Sequence, residues 1–245
     1  MVYVQFLYSE GIVLNKSNVK NVEKLIGVAF NSKDLLSEAL THRSLSNEKQ
    51  SGGSGVKNNE RLEFIGDAIL SMVVTDYIYH RLPEFDEGVL TKIRAACTSR
   101  QACNQVGRDL SLGAFISVGK SVNIDVDGDS ILGCAVEAVI GAVFVDQGVD
   151  VTASLINRLF CPIVDRVVNE RSWEDPKMKF QEKLMSMSRD VPEYKVLDTE
   201  KHQNNTFTYT VGVFVNGDMK GLGQGGKKTI AEKAAAADAL NKLGW

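Results

Sequence analysis

Residues 59–70 read Asn-Glu-Arg-Leu-Glu-Phe-Ile-Gly-Asp-Ala-Ile-Leu, and the fold turns on this stretch. Leu62, Ile65, Ile69 and Leu70 recur at helical spacing, and Val73 and Val74 carry the stripe onward. Three carboxylates share it, Glu60, Glu63 and Asp67, related as i, i+3 and i+7. At about 100° per residue those offsets bring all three to one side of a helix. An exposed helix normally balances such a face with Lys or Arg one turn on, yet Phe64 and Ala68 stand beside these acids instead. Clustered acids repel, and a divalent cation is the economical partner for them. Otherwise the face is simply the solvated side of an amphipathic helix.

The chain of 245 residues is long enough for one full core and a smaller second domain. Its 44% hydrophobic and 24% charged content belongs to the soluble globular class. No uninterrupted apolar run of about 18 residues occurs, so no membrane partner is expected. The first residues, Met-Val-Tyr-Val-Gln-Phe-Leu-Tyr-Ser-Glu, show no basic leader, and a cytoplasmic protein is expected. Cys97, Cys103, Cys134 and Cys161 lack Cys-x-x-Cys pairing, which suggests neither zinc ribbon nor disulfide framework and fits a reducing compartment. With 28 Lys+Arg against 31 Asp+Glu, any grip on nucleic acid must come from where cations are placed.

Along the chain, a helical pattern starts near Asn21, and Ser32 is expected to cap a second helix carrying Leu35, Leu36, Ala39 and Leu40. His42 reads as a packing or hydrogen-bonding residue. Residues 45–58 read as a Gly/Ser loop. The acid-bearing helix is expected to run to about Arg81, limited by Pro83. After a turn at Asp86-Glu87-Gly88, one helix is expected to about Val106. Asp125-Val-Asp-Gly-Asp129 lacks the downstream Glu of a calcium loop and reads as a turn ahead of a helix from Ser130. That helix carries Glu137 among small residues, Gly133, Ala135, Ala138, Gly141 and Ala142, which let another helix approach closely. A last helix over about 152–168 closes the bundle.

Beyond residues 169–176 the pattern changes to a helix, three alternating runs and an Ala-rich helix over 228–243. Asn216-Gly217 is a hairpin signal. The domains are expected at 20–169 and 174–245.

The string over 59–70 closely resembles the signature of the ribonuclease III family. Ala39-Leu40-Thr41-His42 and the run Glu87-Gly88, Leu90-Thr91, Arg94-Ala95 are similar to its flanking elements. The C-terminal α-β-β-β-α order, with Gly221-x-Gly223-x-Gly225 ahead of a Lys-led helix, resembles a double-stranded RNA-binding domain. The resemblance implies an all-α nuclease domain followed by a small α+β RNA-binding domain, the family's short form. It implies a homodimeric endonuclease that cuts double-stranded RNA with magnesium (manganese as substitute), leaving 5′-phosphates, 3′-hydroxyls and short 3′ overhangs.

Carried over residue by residue, Glu60, Asp67 and Glu137 are the catalytic candidates, and Glu63, Asp67 and Glu137 the metal ligands. Gln181 and Glu182 would face one minor groove, His202 the next, and Lys227, Lys228 and Lys233 the phosphates between them. Phe64 would pack across the dimer axis. The family's second acidic motif is Asp-x-x-Glu; Glu137 matches its Glu, and Cys134 stands where it has Asp. Cys134 is either a small buried hydrophobe or a substitution that weakens the magnesium site. The alternative function is therefore a weak or inactive binder that sequesters duplex RNA, such as a viral silencing suppressor.

Overall fold

A long helix bearing the acids is crossed by a more apolar one, and glycine makes the crossing possible. The computed structural model describes residues 9–10, 16–50, 56–120, 122, 124–187, 190–202 and 206–245. It divides into two units, Met1–Glu170 and Arg171–Trp245. The first is helical: β1 (Ser9–Glu10), α1 (Lys16–Ile26), α2 (Lys33–Ala39), α3 (Arg43–Gln50), α4 (Glu60–Arg81), α5 (Glu87–Cys97), α6 (Arg100–Asp109), a 3-10 turn (Leu112–Phe115), β2 (Ser117–Val118), α7 (Ile124–Gln147) and α8 (Val149–Glu170). Its two short strands pair in parallel.

Helix α4 turns Leu62, Leu70, Val73, Val74 and Ile78 inward. Helix α7 is the centre of the bundle, with Ala135, Ala138, Ala142 and Val143 fully buried. The two touch backbone to backbone. A Cβ on Gly66 would lie 1.8 Å from the Glu137 carbonyl oxygen, and one on Gly141 would lie 2.1 Å from the Leu62 carbonyl oxygen. Only glycine fits at either point. By length and composition Gly128–Gln147 could cross a membrane, but 67% of it is buried inside the unit, as befits a core helix. The criterion of an unbroken apolar run overlooks it because Glu137 and Asp146 interrupt the run.

Several boundaries differ from the expected ones. Residues 45–50 of the expected loop belong to α3, where Leu45 and Ser46 are buried and the Ser46 hydroxyl donates to the Val56 carbonyl at 2.6 Å. Residues 51–55 of the expected loop, and most of 1–18, lie outside the described residues. The single helix expected to Val106 is two, since the Ser99 hydroxyl accepts from Ala102 N at 3.2 Å and starts α6 afresh. Helix α7 begins at Ile124, with the expected turn as its first part. Ser32 makes no side-chain cap. Its N–H and that of Asn31 donate instead to the Asp146 carboxylate at 2.8 and 2.7 Å, tying the start of α2 to the end of α7.

The second unit follows α9 (Pro176–Met187), β3 (Glu193–Lys201), β4 (Phe207–Val215), β5 (Asp218–Gly225) and α10 (Lys228–Leu243). The strands form one antiparallel sheet in sequential order. Phe180, Leu184, Val211, Val213 and the alanines of α10 make its core. A Cβ on Gly221 or Gly223 would fall 2.3 or 2.2 Å from α10 backbone, so this glycine pattern seats the Ala-rich helix directly on β5. Asn216 and Gly217 both take positive φ, 52° and 87°, as a tight hairpin turn of this hand requires. Strand β3 continues to Lys201, and residues 203–205 lie outside the described residues.

Candidate active site

The α4–α7 crossing brings two of the expected acids, Glu63 and Glu137, into one cluster. Atoms of Glu63 from α4 and of Cys134 and Glu137 from α7 lie within 4.8 Å of one another, a set able to hold a metal ion. Asp67, one turn beyond Glu63, is exposed, and its charge acts on Glu137 more strongly than that of Glu63. Glu137 is half-buried. Burial first, then Asp67 and Glu63, push its carboxyl up to about 7, against the Cys103 thiol and the Arg100 guanidinium, which favour the charged form. Glu137 therefore keeps a proton over a range where an isolated glutamate has released it.

Cys134 is neither a bystander nor a simple core residue. It is half-buried within the cluster, and burial, together with its hydrogen bond to Glu63, pushes its thiol up to about 12. A second thiol, Cys103 on α6, donates to Glu137 Oε1 at 3.7 Å, and burial raises its pKa as well. Nothing in the sequence marks Cys103, a cysteine on an apolar helix face 34 residues from its acid. Arg100 donates to Ser130 Oγ at 2.6 Å and lies near enough to favour the ionised forms of Cys134 and Glu137.

Glu60 stands apart from this set. Its carboxylate meets Arg43 at 3.3 Å and Asn58 Nδ2 at 3.3 Å, so a cation from α3 faces this acid after all. His42 is a hydrogen-bonding residue: its Nδ1 meets Ser44 Oγ at 2.8 Å and its N–H donates to the Ser117 carbonyl. Phe64 projects from α4 and is 81% exposed, with Met72 two turns on at 49%.

In the second unit Gln181 and Glu182 lie exposed on α9, and Lys227 and Lys228 sit at the start of α10, Lys228 beside the Tyr209 ring. Lys233 is ion-paired with Asp175 at 3.0 Å. His202 Nε2 meets Thr208 Oγ1 at 2.8 Å.

The raised Glu137 carboxyl has a measurable consequence. Between about 4.5 and about 7 the folded chain binds a proton there that the unfolded chain has lost, so stability falls as pH rises through that window and levels off above it. Thermal unfolding of the metal-free protein should show this slope, and Glu137→Gln should flatten it. An unchanged slope in the variant would place its source elsewhere.

The ribonuclease-III-like family matches residues 32–164, over the very helices that build this cluster. The chain belongs to the ribonuclease III family. Residues 176–243 match the double-stranded RNA binding motif. Ribonuclease 3 of Desulfotalea psychrophila is 38% identical over 231 residues, 94% of each chain. That of Streptomyces coelicolor is 42% identical over 211 residues, 85% of this chain and 74% of the relative. The nuclease domain of Ribonuclease III from Campylobacter jejuni superposes with a TM-score of 0.50 at 35% identity, covering 58% of this chain and 99% of that domain. By family this ribonuclease III is an endoribonuclease of double-stranded RNA.

Proposed function

We propose that this chain cleaves double-stranded RNA by magnesium-dependent phosphodiester hydrolysis, as a homodimer in the cytoplasm, leaving 5′-phosphate and 3′-hydroxyl ends with short 3′ overhangs. The observation that carries it is the meeting of Glu63 and Glu137, with Asp67 alongside, at the α4–α7 crossing. The donor set accommodates a divalent cation: its oxygens are of the type magnesium takes, while the sulfur of Cys134 is not. When bound, such a cation would activate water and stabilise charge on the entering and departing oxygens. Glu63, Asp67 and Glu137 would hold it. Arg100 offsets the negative charge of the cluster, and Cys103 fixes one oxygen of Glu137. Glu60, anchored by Arg43 and Asn58, acts from the edge of the site, ordering the RNA rather than binding metal.

The exposed Phe64 and Met72 form an apolar stripe with Ala68 on α4, which supports burial against a second copy. Two sites on one duplex then give staggered cuts. On the RNA-binding unit, Lys227 and Lys228 lie where the α10 N-terminus adds its own attraction for phosphate. Gln181, Glu182 and His202 are the groove-facing candidates, while Lys233 must first leave Asp175. Alanine at Lys228 should weaken duplex binding alike for all sequences and lower the salt slope by about 1 in a titration against salt. An unaltered slope would remove it from the phosphate contacts.

The test is incubation of purified protein with long duplex RNA and magnesium, with end-group analysis, beside Asp67→Ala. Staggered cutting that vanishes in the variant supports the proposal. Duplex RNA bound but left intact by the wild type favours the sequestering alternative, for which Cys134 is the reason. Cys134→Asp restores the second carboxylate of the motif and should lower the magnesium needed for half-maximal cleavage. Equal magnesium dependence in both proteins would show that the cysteine costs the site nothing.

A further inference from the structure

The donors at the α4–α7 crossing differ in kind from a purely carboxylate site. Glu63 and Glu137 offer oxygen and Cys134 offers sulfur, all within 4.8 Å of one another. A tetrahedral ion bonded to carboxylate at about 2.0–2.2 Å and to thiolate at about 2.3 Å spaces its donors about 3.4–3.7 Å apart, so the three side chains would close on it by on the order of 1 Å, within the reach of rotamer adjustment. A second sulfur, Cys103, lies against Glu137 at 3.7 Å. Magnesium takes oxygen in near-octahedral array and holds its water, and gains little from sulfur. Zinc-class ions are borderline-soft and take mixed carboxylate and thiolate in tetrahedral array. Four-coordination would also leave one position open beside these three donors.

We propose that this site binds a thiophilic divalent cation of the zinc class through Cys134 Sγ, Glu63 and Glu137, in competition with magnesium. This rests on the assignment of the same acids to the nuclease metal site. Selection between ions is set by the one sulfur: a hard ion uses the carboxylates and leaves Cys134 aside, and a soft ion recruits it. Free zinc therefore blocks cleavage at concentrations far below those of magnesium, and the block is relieved when residue 134 bears oxygen in place of sulfur.

The probe is cadmium or cobalt(II) added to the metal-free full chain, followed by near-ultraviolet charge-transfer absorption, which arises only where thiolate joins the ion. The wild type should show the band at one equivalent. Cys134→Ser should lose it and weaken cadmium binding at least tenfold, and Cys134→Asp should lose it while binding magnesium more tightly. Circular dichroism of both variants establishes that they are folded. A band that survives in Cys134→Ser, or its absence from the wild type, overturns the proposal. Cleavage assays separate the two ideas: magnesium-dependent cutting without the band leaves the nuclease standing and this proposal fallen. The band without cutting under any magnesium concentration leaves sulfur ligation standing and the nuclease fallen.

Discussion

Gly66→Ala is expected to destabilise the nuclease unit by about 3 kcal/mol or more, roughly 6–12 °C in melting temperature for a chain of this size. The added methyl would lie 1.8 Å from the Glu137 carbonyl oxygen, 2.7 Å from its carbon and 2.9 Å from Gly141 N. All three are backbone atoms, so no side chain can rotate away and the two helices must part. Gly88→Ala is the matched control. Its nearest neighbour is Asp86 Oδ1 at 3.4 Å, an ordinary contact, and alanine there gains helix propensity of about 0.5–1 kcal/mol. Calorimetry of the two variants decides the matter. If Gly66→Ala melts with the wild type, the helices do not cross as closely as described. Even a surviving fold should cut poorly, because parting α4 from α7 separates Glu63 from Glu137.

What the sequence made legible was local or periodic. The helical stripe of Leu62 to Val74 and the acid spacing need only the pitch of a helix, and α4 follows them closely. Asn216-Gly217 needs only the sign of φ. The Gly221 and Gly223 pattern shows where α10 sits, because glycine spacing on a strand reports what covers it. What escaped was set by distant partners. Asp146 replaces the Ser32 cap from 114 residues away. Arg43, 17 residues before Glu60, supplies the cation that α4 does not place one turn on from this acid. The Lys233 ammonium, expected among the RNA contacts, is held by Asp175. Cys103 reaches Glu137 only because α6 packs on α7, a juxtaposition no spacing announces. The break at Ser99 was legible in principle, since serine before a polar turn is a cap signal, but the apolar period of the two helices runs on across it. Cys134 shows the limit most clearly: the sequence leaves it either a small buried hydrophobe or a change at the metal site, and its place within 4.8 Å of Glu63 and Glu137 comes only from the crossing of α4 and α7.

Glu137→Gln should reduce duplex cleavage by roughly 10³-fold, the loss of several kcal/mol of charge stabilisation in the transition state. Glutamine keeps the shape and one oxygen but removes the charge, and it leaves the backbone that meets Gly66 untouched. The fold should therefore survive, and at neutral pH the metal-free variant should be no less stable than the wild type, because a neutral group replaces a carboxyl already held near 7 by burial and two acids. Duplex binding through Arg171–Trp245 should also persist, since the substitution lies in the other unit. Loss of rate with retained melting temperature and retained binding is the signature of a residue that holds the cation. Glu60→Gln makes the comparison sharp, because Glu60 faces Arg43 and Asn58 and not the cluster, and its loss should cost far less. If Glu137→Gln cuts within tenfold of the wild type while Glu60→Gln does not, the reacting phosphate sits at the start of α4 and not at its crossing with α7.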